Sequence, residues 1–235
     1  MARWLVICAG LLCAGGPAAA DSAVAPGAQA SPHRRYGAMT QDECEAELTA
    51  RKVPFVREAP TVGVRAPVRM TGPLRGVLFR SDLPAGKRAT SHWEIADCRL
   101  VLALDDFAEI LARHGVTEVR HYSMYRTPSR KLAEGQDGTR HPGGLAIDAG
   151  RFKLADGDEI DVYDDYHGRI GSRSCGPDAR PPKPSTAKAR TLRSLLCEAA
   201  ERKLFTVVLT PNHNRKHRNH FHLEVAPNVR WFLVR

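Results

Sequence analysis

Arg140-His141-Pro142-Gly143-Gly144-Leu145-Ala146-Ile147-Asp148 sets a histidine in a Pro/Gly turn and a carboxylate inside the apolar run that follows. The turn residues predict a tight reversal, and Leu145 to Phe152 predicts a short, mostly apolar strand. Strand alternation puts Ala146 and Asp148 on one face. A carboxylate in such a strand needs a partner, because burying an unpaired charge is expensive. A bound cation at that face would satisfy Asp148, and His141 could swing in from the turn.

The partner segment lies far along the chain: His217-Arg218-Asn219-His220-Phe221-His222-Leu223-Glu224. In a strand over Phe221 to Val225, His220, His222 and Glu224 share one face, while Phe221 and Leu223 face the core. A lone His-Pro-Gly is usually only a turn, and a lone His-x-His is usually a surface feature. Together they are far more specific. Five of the ten histidines fall at position 141 or between 213 and 222. Zinc in catalytic sites takes three His, Asp or Glu ligands and keeps one position for water. One His and one Asp from the first segment and one His from the second make that set.

His-x-x-Gly-x-Ala-x-Asp over His141 to Asp148, with His220-x-His222, resembles the zinc peptidase superfamily of lysostaphin, the D-alanyl-D-alanine carboxypeptidases and the hedgehog signalling domain. Ser123-Met124-Tyr125-Arg126 resembles the S-x-Y-R strand before the metal motif in the carboxypeptidase branch. The spacing of Cys98, Cys175 and Cys197, with His217-x-x-His220-x-His222, looks most like the bacterial extensin-like C-terminal domain family, over residues 40 to 226. The resemblance implies His141, Asp148 and His222 as zinc ligands, His220 as general base or transition-state stabiliser, and Arg126 as holder of a polarised carbonyl or a peptide carboxylate. Two positions depart from the pattern. Thr139 stands where a Ser is frequent, and Glu224 where an Asp is common; Glu224 could orient an imidazole. Ser123 and His217 are further candidates for lining the site or touching substrate. His213 reads as a solvated loop residue, Asn219 as a turn or substrate residue, and His121 and Tyr125 as core or surface residues.

The surrounding sequence predicts an α+β domain around a mainly antiparallel sheet flanked by helices, with the hedgehog/D-Ala-D-Ala peptidase-like fold implied by the resemblance. Thr40 and Glu43 form a capping box ahead of Cys44 and Leu48. Leu100, Leu104, Phe107, Ile110 and Leu111 make one apolar helical stripe over 98–113, stopped by Gly115. Thr186 to Lys203 predicts a second long helix. Glu118 to Tyr125 and Phe205 to Leu209 read as strands, residues 60–90 as short strands and turns, and 153–185 as a hairpin and a long loop.

At the N-terminus, Arg3, the apolar run Leu5–Gly15 and Ala18-Ala19-Ala20 read as a signal peptide over 1–20, with a second cleavage site open at Ala28-Gln29-Ala30. Leu12 argues against a lipid anchor at Cys13. Residues 21–39 read as a flexible linker and 40–235 as one domain. No stretch predicts a transmembrane helix. Cys44, Cys98, Cys175 and Cys197 form an even set suited to an oxidising compartment, periplasmic or extracellular. Of three pairings, proximity along the chain favours Cys44–Cys98 and Cys175–Cys197.

The net charge of +9 is spread along the 235 residues without an aromatic-interleaved basic stripe. That argues against nucleic acid and fits either attraction to anionic envelope polymers or simple solubility. The expected function is an exported zinc-dependent peptidase acting on peptidoglycan stem or cross-link peptides. The alternative is a non-catalytic zinc-containing protein that binds the cell wall.

Overall fold

The computed structural model describes Met1 and residues 31–235. The expected signal peptide, apart from Met1, and the linker up to residue 30 lie outside the described residues. In chain order, α1 (Pro32–Ala38) and α2 (Gln41–Ala50) lead into β1 (Phe55–Arg57), β2 (Pro67–Met70) and β3 (Leu78–Ser81). A short α3 (Ala85–Arg88) precedes β4 (Ile95–Asp97), which runs directly into α4 (Cys98–Arg113). Then come β5 (Val116–His121), β6 (Ala146–Leu154), β7 (Glu159–Asp161), α5 (Val162–Asp165), α6 (Ala187–Glu201), β8 (Val207–Leu209), β9 (Phe221–Glu224) and β10 (Leu233–Val234).

Among the described residues the larger sheet has the order β10-β8-β9-β6-β5-β3, with β7 also paired to β6; β1, β2 and β4 form a separate antiparallel sheet. The α+β class holds. The larger sheet is antiparallel in four of its six pairings, as expected, and is mixed only at its two edges, where β3 runs parallel to β5 and β10 parallel to β8. Between β3 and β5 the chain passes through α3, β4 and α4, a crossover long enough to bring it back in the same direction.

The helices form where the apolar spacing placed them. Asp97 caps α4 by accepting from Arg99 N, and Leu100, Leu104, Phe107, Ile110 and Leu111 are all buried. The helix ends before Gly115, whose φ of +76° suits glycine. On α6, Leu192, Leu195, Leu196 and Ala199 are buried. Phe107 of α4 meets Phe205 edge to face at 5.7 Å, fastening the helix layer to the chain entering β8. The capping box of α2 is present, and Cys44 and Leu48 face inward.

The disulfides are Cys44–Cys98, joining α2 to the start of α4, and Cys175–Cys197, joining the long loop to α6. In the chain-entropy account, loops of 54 and 22 residues contribute about 4 and about 3 kcal/mol.

Two expectations change. Residues 31–39 are not linker: α1 buries Tyr36, whose hydroxyl donates to Asp106 and accepts from Arg51 Nη2 at 2.9 Å. Composition pointed to disorder there because the anchors are only two side chains, His33 and Tyr36, in polar surroundings. The strand expected over Glu118–Tyr125 ends at His121, which still pairs with Ala149 of β6 just past a register shift. Beyond it, Tyr122 N donates to Asp148 O and Asp148 N to Ser123 O, so the segment stays tied to β6 without being regular strand.

Candidate metal centre

The register of β6 against β9 sets Asp148 directly opposite His222. Cross-strand partners on one face stand side by side, and His222 Nδ1 lies 3.0 Å from Asp148 Oδ1. His141 comes from the turn that feeds β6. Its Nδ1 donates to Met124 O at 3.0 Å, which turns Nε2 toward Asp148 Oδ1 at 3.1 Å. The turn allows little variation. Gly144 sits at φ +64°, and a Cβ there would lie 2.8 Å from Asp97 N. A Cβ on Gly143 would meet Gly138 O at 2.4 Å.

The donor set fits a zinc ion. The ligand atoms of His141, Asp148 and His222 lie within 4.8 Å of one another, and all three residues are buried. Tetrahedral bonds of about 2.0–2.2 Å put ligand atoms about 3.4 Å apart, close to the observed 3.1 and 3.0 Å. The nitrogens that do not face Asp148 are engaged elsewhere: His141 Nδ1 with Met124 O, and His222 Nε2 with Glu224 Oε2 at 3.4 Å. Such outer partners select the tautomer and orient the ring.

Around this set, His220 Nε2 lies 3.4 Å from Asp148 Oδ1, while its Nδ1 donates to Asn219 Oδ1 at 2.9 Å. Its ring meets Tyr122 edge to face at 5.9 Å. The half-exposed Arg126 reaches Asp148 Oδ2, and its Nε donates to Ser123 Oγ at 2.7 Å. His217 packs against His220 and His222 at 5.2 and 5.9 Å, and His213 against His217 at 5.1 Å.

The electrostatics follow from burial and pairing. Burial works against the Asp148 carboxylate, but hydrogen bonds from His141 and His222 outweigh it and hold the group well below the usual carboxylate range. Burial also opposes the charged form of His222, yet Asp148 and Glu224 raise its pKa above 6.5. Burial lowers His220, with Asp148 partly offsetting it. Burial and the imidazoles of His220, His222 and His213 push His217 down to about 4. His217 and His220 are therefore neutral at pH 7, each with one nitrogen able to accept a proton.

Of the residues singled out from sequence, His141, Asp148, His222, His220, Arg126, Ser123, His217 and Glu224 come together. Thr139 does not join them: it is exposed, and among the described residues its hydroxyl has no hydrogen bond to the cluster. His213 belongs to the imidazole array rather than to a free loop, and Asn219 orients His220. His121 is fully buried beside Glu94, and Tyr125 packs with Val64 and Ile95. Sequence reading missed three contributors. Met124 acts through its carbonyl, Tyr122 meets His220 edge to face in space left by Gly150, and Arg140 reaches Glu224 at 3.6 Å. Only Gly150, opposite an aromatic, hinted at any of these.

A cavity of about 390 Å³ lined by Trp93, Tyr122, Ser123 and Arg126 opens beside the cluster. A larger one, about 950 Å³, lies between residues 60–65 and the loop 127–137, which connects Arg126 to His141.

The family model for the extensin-like protein C-terminus matches residues 40–235, and the chain belongs to that family. No curated protein and no solved structure matches the chain.

Proposed function

For this extensin-like chain, we propose a zinc-dependent peptidase of the cell envelope that hydrolyses peptidoglycan stem or cross-link peptides, with a hedgehog/D-Ala-D-Ala peptidase-like arrangement of its site. The observation that carries the reading is the convergence of His141, Asp148 and His222 on one face, with His220 and Arg126 beside them. Two disulfides fit an oxidising, extracytoplasmic compartment. Among the described residues no helix is long and apolar enough to cross a membrane.

When bound, zinc would supply a Lewis acid and a water acidified from about 15.7 to about 7. His141 Nε2, a carboxylate oxygen of Asp148 and His222 Nδ1 would hold it. His220 Nε2 faces the same point, with Nδ1 committed to Asn219, and so can take a proton there and return it to the leaving amine. Arg126 offers a planar fork of donors for an oxyanion or a peptide carboxylate, and Ser123 steadies it. The cavity beside Trp93 and Tyr122 has room for a peptide residue next to that fork. Glu224 orients His222 and is itself paired with Arg140.

The test is turnover of defined muropeptides by purified protein, with and without a chelator, alongside zinc content. Hydrolysis that stops on chelation and returns with zinc supports the proposal. Zinc retention and sacculus binding without turnover of any muropeptide would replace it with a wall-binding function.

A further inference from the structure

Away from the metal centre, the long loop between α5 and α6 encloses a cavity of about 520 Å³ whose charged walls are all basic. Arg169, Arg180, Lys183 and Arg193 line it together with His167, and no carboxylate does. A second cavity of about 450 Å³ shares Arg169 and Arg180 with it; the one acid there, Asp178, is paired with Arg173. Among the described residues none of Arg169, Arg180, Lys183 and Arg193 has a carboxylate within ion-pair distance.

Arg193 is the decisive member. It projects from α6 and is nine-tenths buried. Its Nη1 donates to Ser174 O at 3.1 Å and Arg180 O at 3.3 Å, and its guanidinium sits 4.4 Å from the centre of the Tyr166 ring. Its Nε is buried and has no partner. A buried guanidinium normally faces a carboxylate, because removing an unneutralised charge from water is costly. Carbonyls and a ring face orient Arg193 but do not neutralise it. Three further cations around the same space add mutual repulsion, and a cleft lined by one sign of charge concentrates the opposite ion. The loop is also held firmly, by Cys175–Cys197 and by Asn212, whose Oδ1 accepts from Arg169 N at 2.7 Å.

We infer that this cavity is a binding site for a phosphate group, free or carried on a linear phosphodiester polymer. Phosphate suits it better than a carboxylate because its tetrahedrally placed oxygens can accept from several guanidinium forks at once, where a planar carboxylate pairs best with one; a free phosphate also carries the higher charge. The site is independent of the proposed peptidase chemistry.

The probes are inorganic pyrophosphate and a glycerol-phosphate oligomer, titrated calorimetrically against full-length protein with a chelator present throughout. Pyrophosphate distinguishes a free-phosphate site from one needing the polymer. We expect binding of the oligomer that weakens with salt. Arg169→Ala/Arg180→Ala, in exposed side chains, should weaken it at least about tenfold and reduce the slope of log K against log salt by about one per cation removed. Arg193→Gln should abolish the rise in melting temperature that pyrophosphate or the oligomer gives the wild type. Arg34→Ala, an exposed cation on α1, should leave both unchanged. Wild-type affinity in the double variant, or equal loss in Arg34→Ala, would overturn the site in favour of diffuse charge. Polyglutamate binding as tightly as the phosphate oligomer would overturn the assignment to phosphate.

Discussion

Asp97 and Asp148 are both buried carboxylates at strand positions, and they differ in what faces them. Asp97 is surrounded by fixed donors. Arg99 N and Nε reach Oδ1 at 3.0 and 2.7 Å, and Arg99 Nη2 and Ala66 N reach Oδ2 at 2.9 and 3.2 Å. It also caps α4, and its own N–H donates to Gly144 O at 2.8 Å, under the turn that carries His141. Asp148 faces three imidazoles and the half-exposed Arg126. An imidazole can shed its proton and present a lone pair, whereas an amide or guanidinium cannot. The first arrangement is saturated and closed; the second can exchange a proton for a cation. Burial and charge alone do not distinguish a structural carboxylate from a ligand. The partners do.

Removing the proposed ligands gives the sharpest contrast. His141→Ala, Asp148→Ala and His222→Ala should each lose the one zinc expected per chain, by elemental analysis, while Asp97→Asn retains it in whatever fraction folds. Full zinc retention in all three ligand variants would end the distinction.

His220→Ala should keep zinc and lose about 10²- to 10⁴-fold in muropeptide turnover, and Arg126→Lys should fail similarly because lysine lacks the fork. Wild-type rates in both would remove these residues from the chemistry.

On stability the order reverses. Asp97→Ala strands a buried guanidinium and should cost about 3–5 kcal/mol, read from denaturant unfolding with chelator present. Asp148→Ala should cost less under the same conditions, since the histidines can become neutral and Arg126 can turn to water. Equal losses would show that both carboxylates are structural.

Glu224→Gln tests the outer layer and should weaken zinc affinity about 10- to 100-fold with little change in folding, measured by competition with a chromogenic chelator. The smallest effect is expected at Tyr36→Phe, which removes one hydroxyl between Asp106 and Arg51 and should cost about 1 kcal/mol. No loss at all would return α1 to the status of a dispensable tail.

Much of the helix layer was legible because its information is local. Leu100, Leu104 and Phe107 recur at helical spacing, Thr40 and Glu43 are three apart, and a glycine follows the end of α4. The candidate site residues were legible for a different reason: His, Asp and His on strand-like segments are chemically unusual, and the family resemblance suggested roles for them. The tail at 31–39 was misread because one buried histidine and one buried tyrosine leave almost no trace in composition. The two parallel edge pairs were missed because strand direction depends on which strands become neighbours, and that is set by the crossover rather than by any one segment.

From sequence alone came the identity of the ligand candidates, the helical stripes and an even set of cysteines whose proximity favoured the observed pairs. The tertiary structure decided that Asp148 stands opposite His222, that the Met124 carbonyl selects the His141 nitrogen, that Arg140 answers Glu224, and that Arg193 is buried without a counter-charge. Spacing within one segment fixes the face a side chain takes, because backbone periodicity is local. Which faces meet depends on register and packing between segments far apart in the chain, and the partner of each buried charge is settled only there.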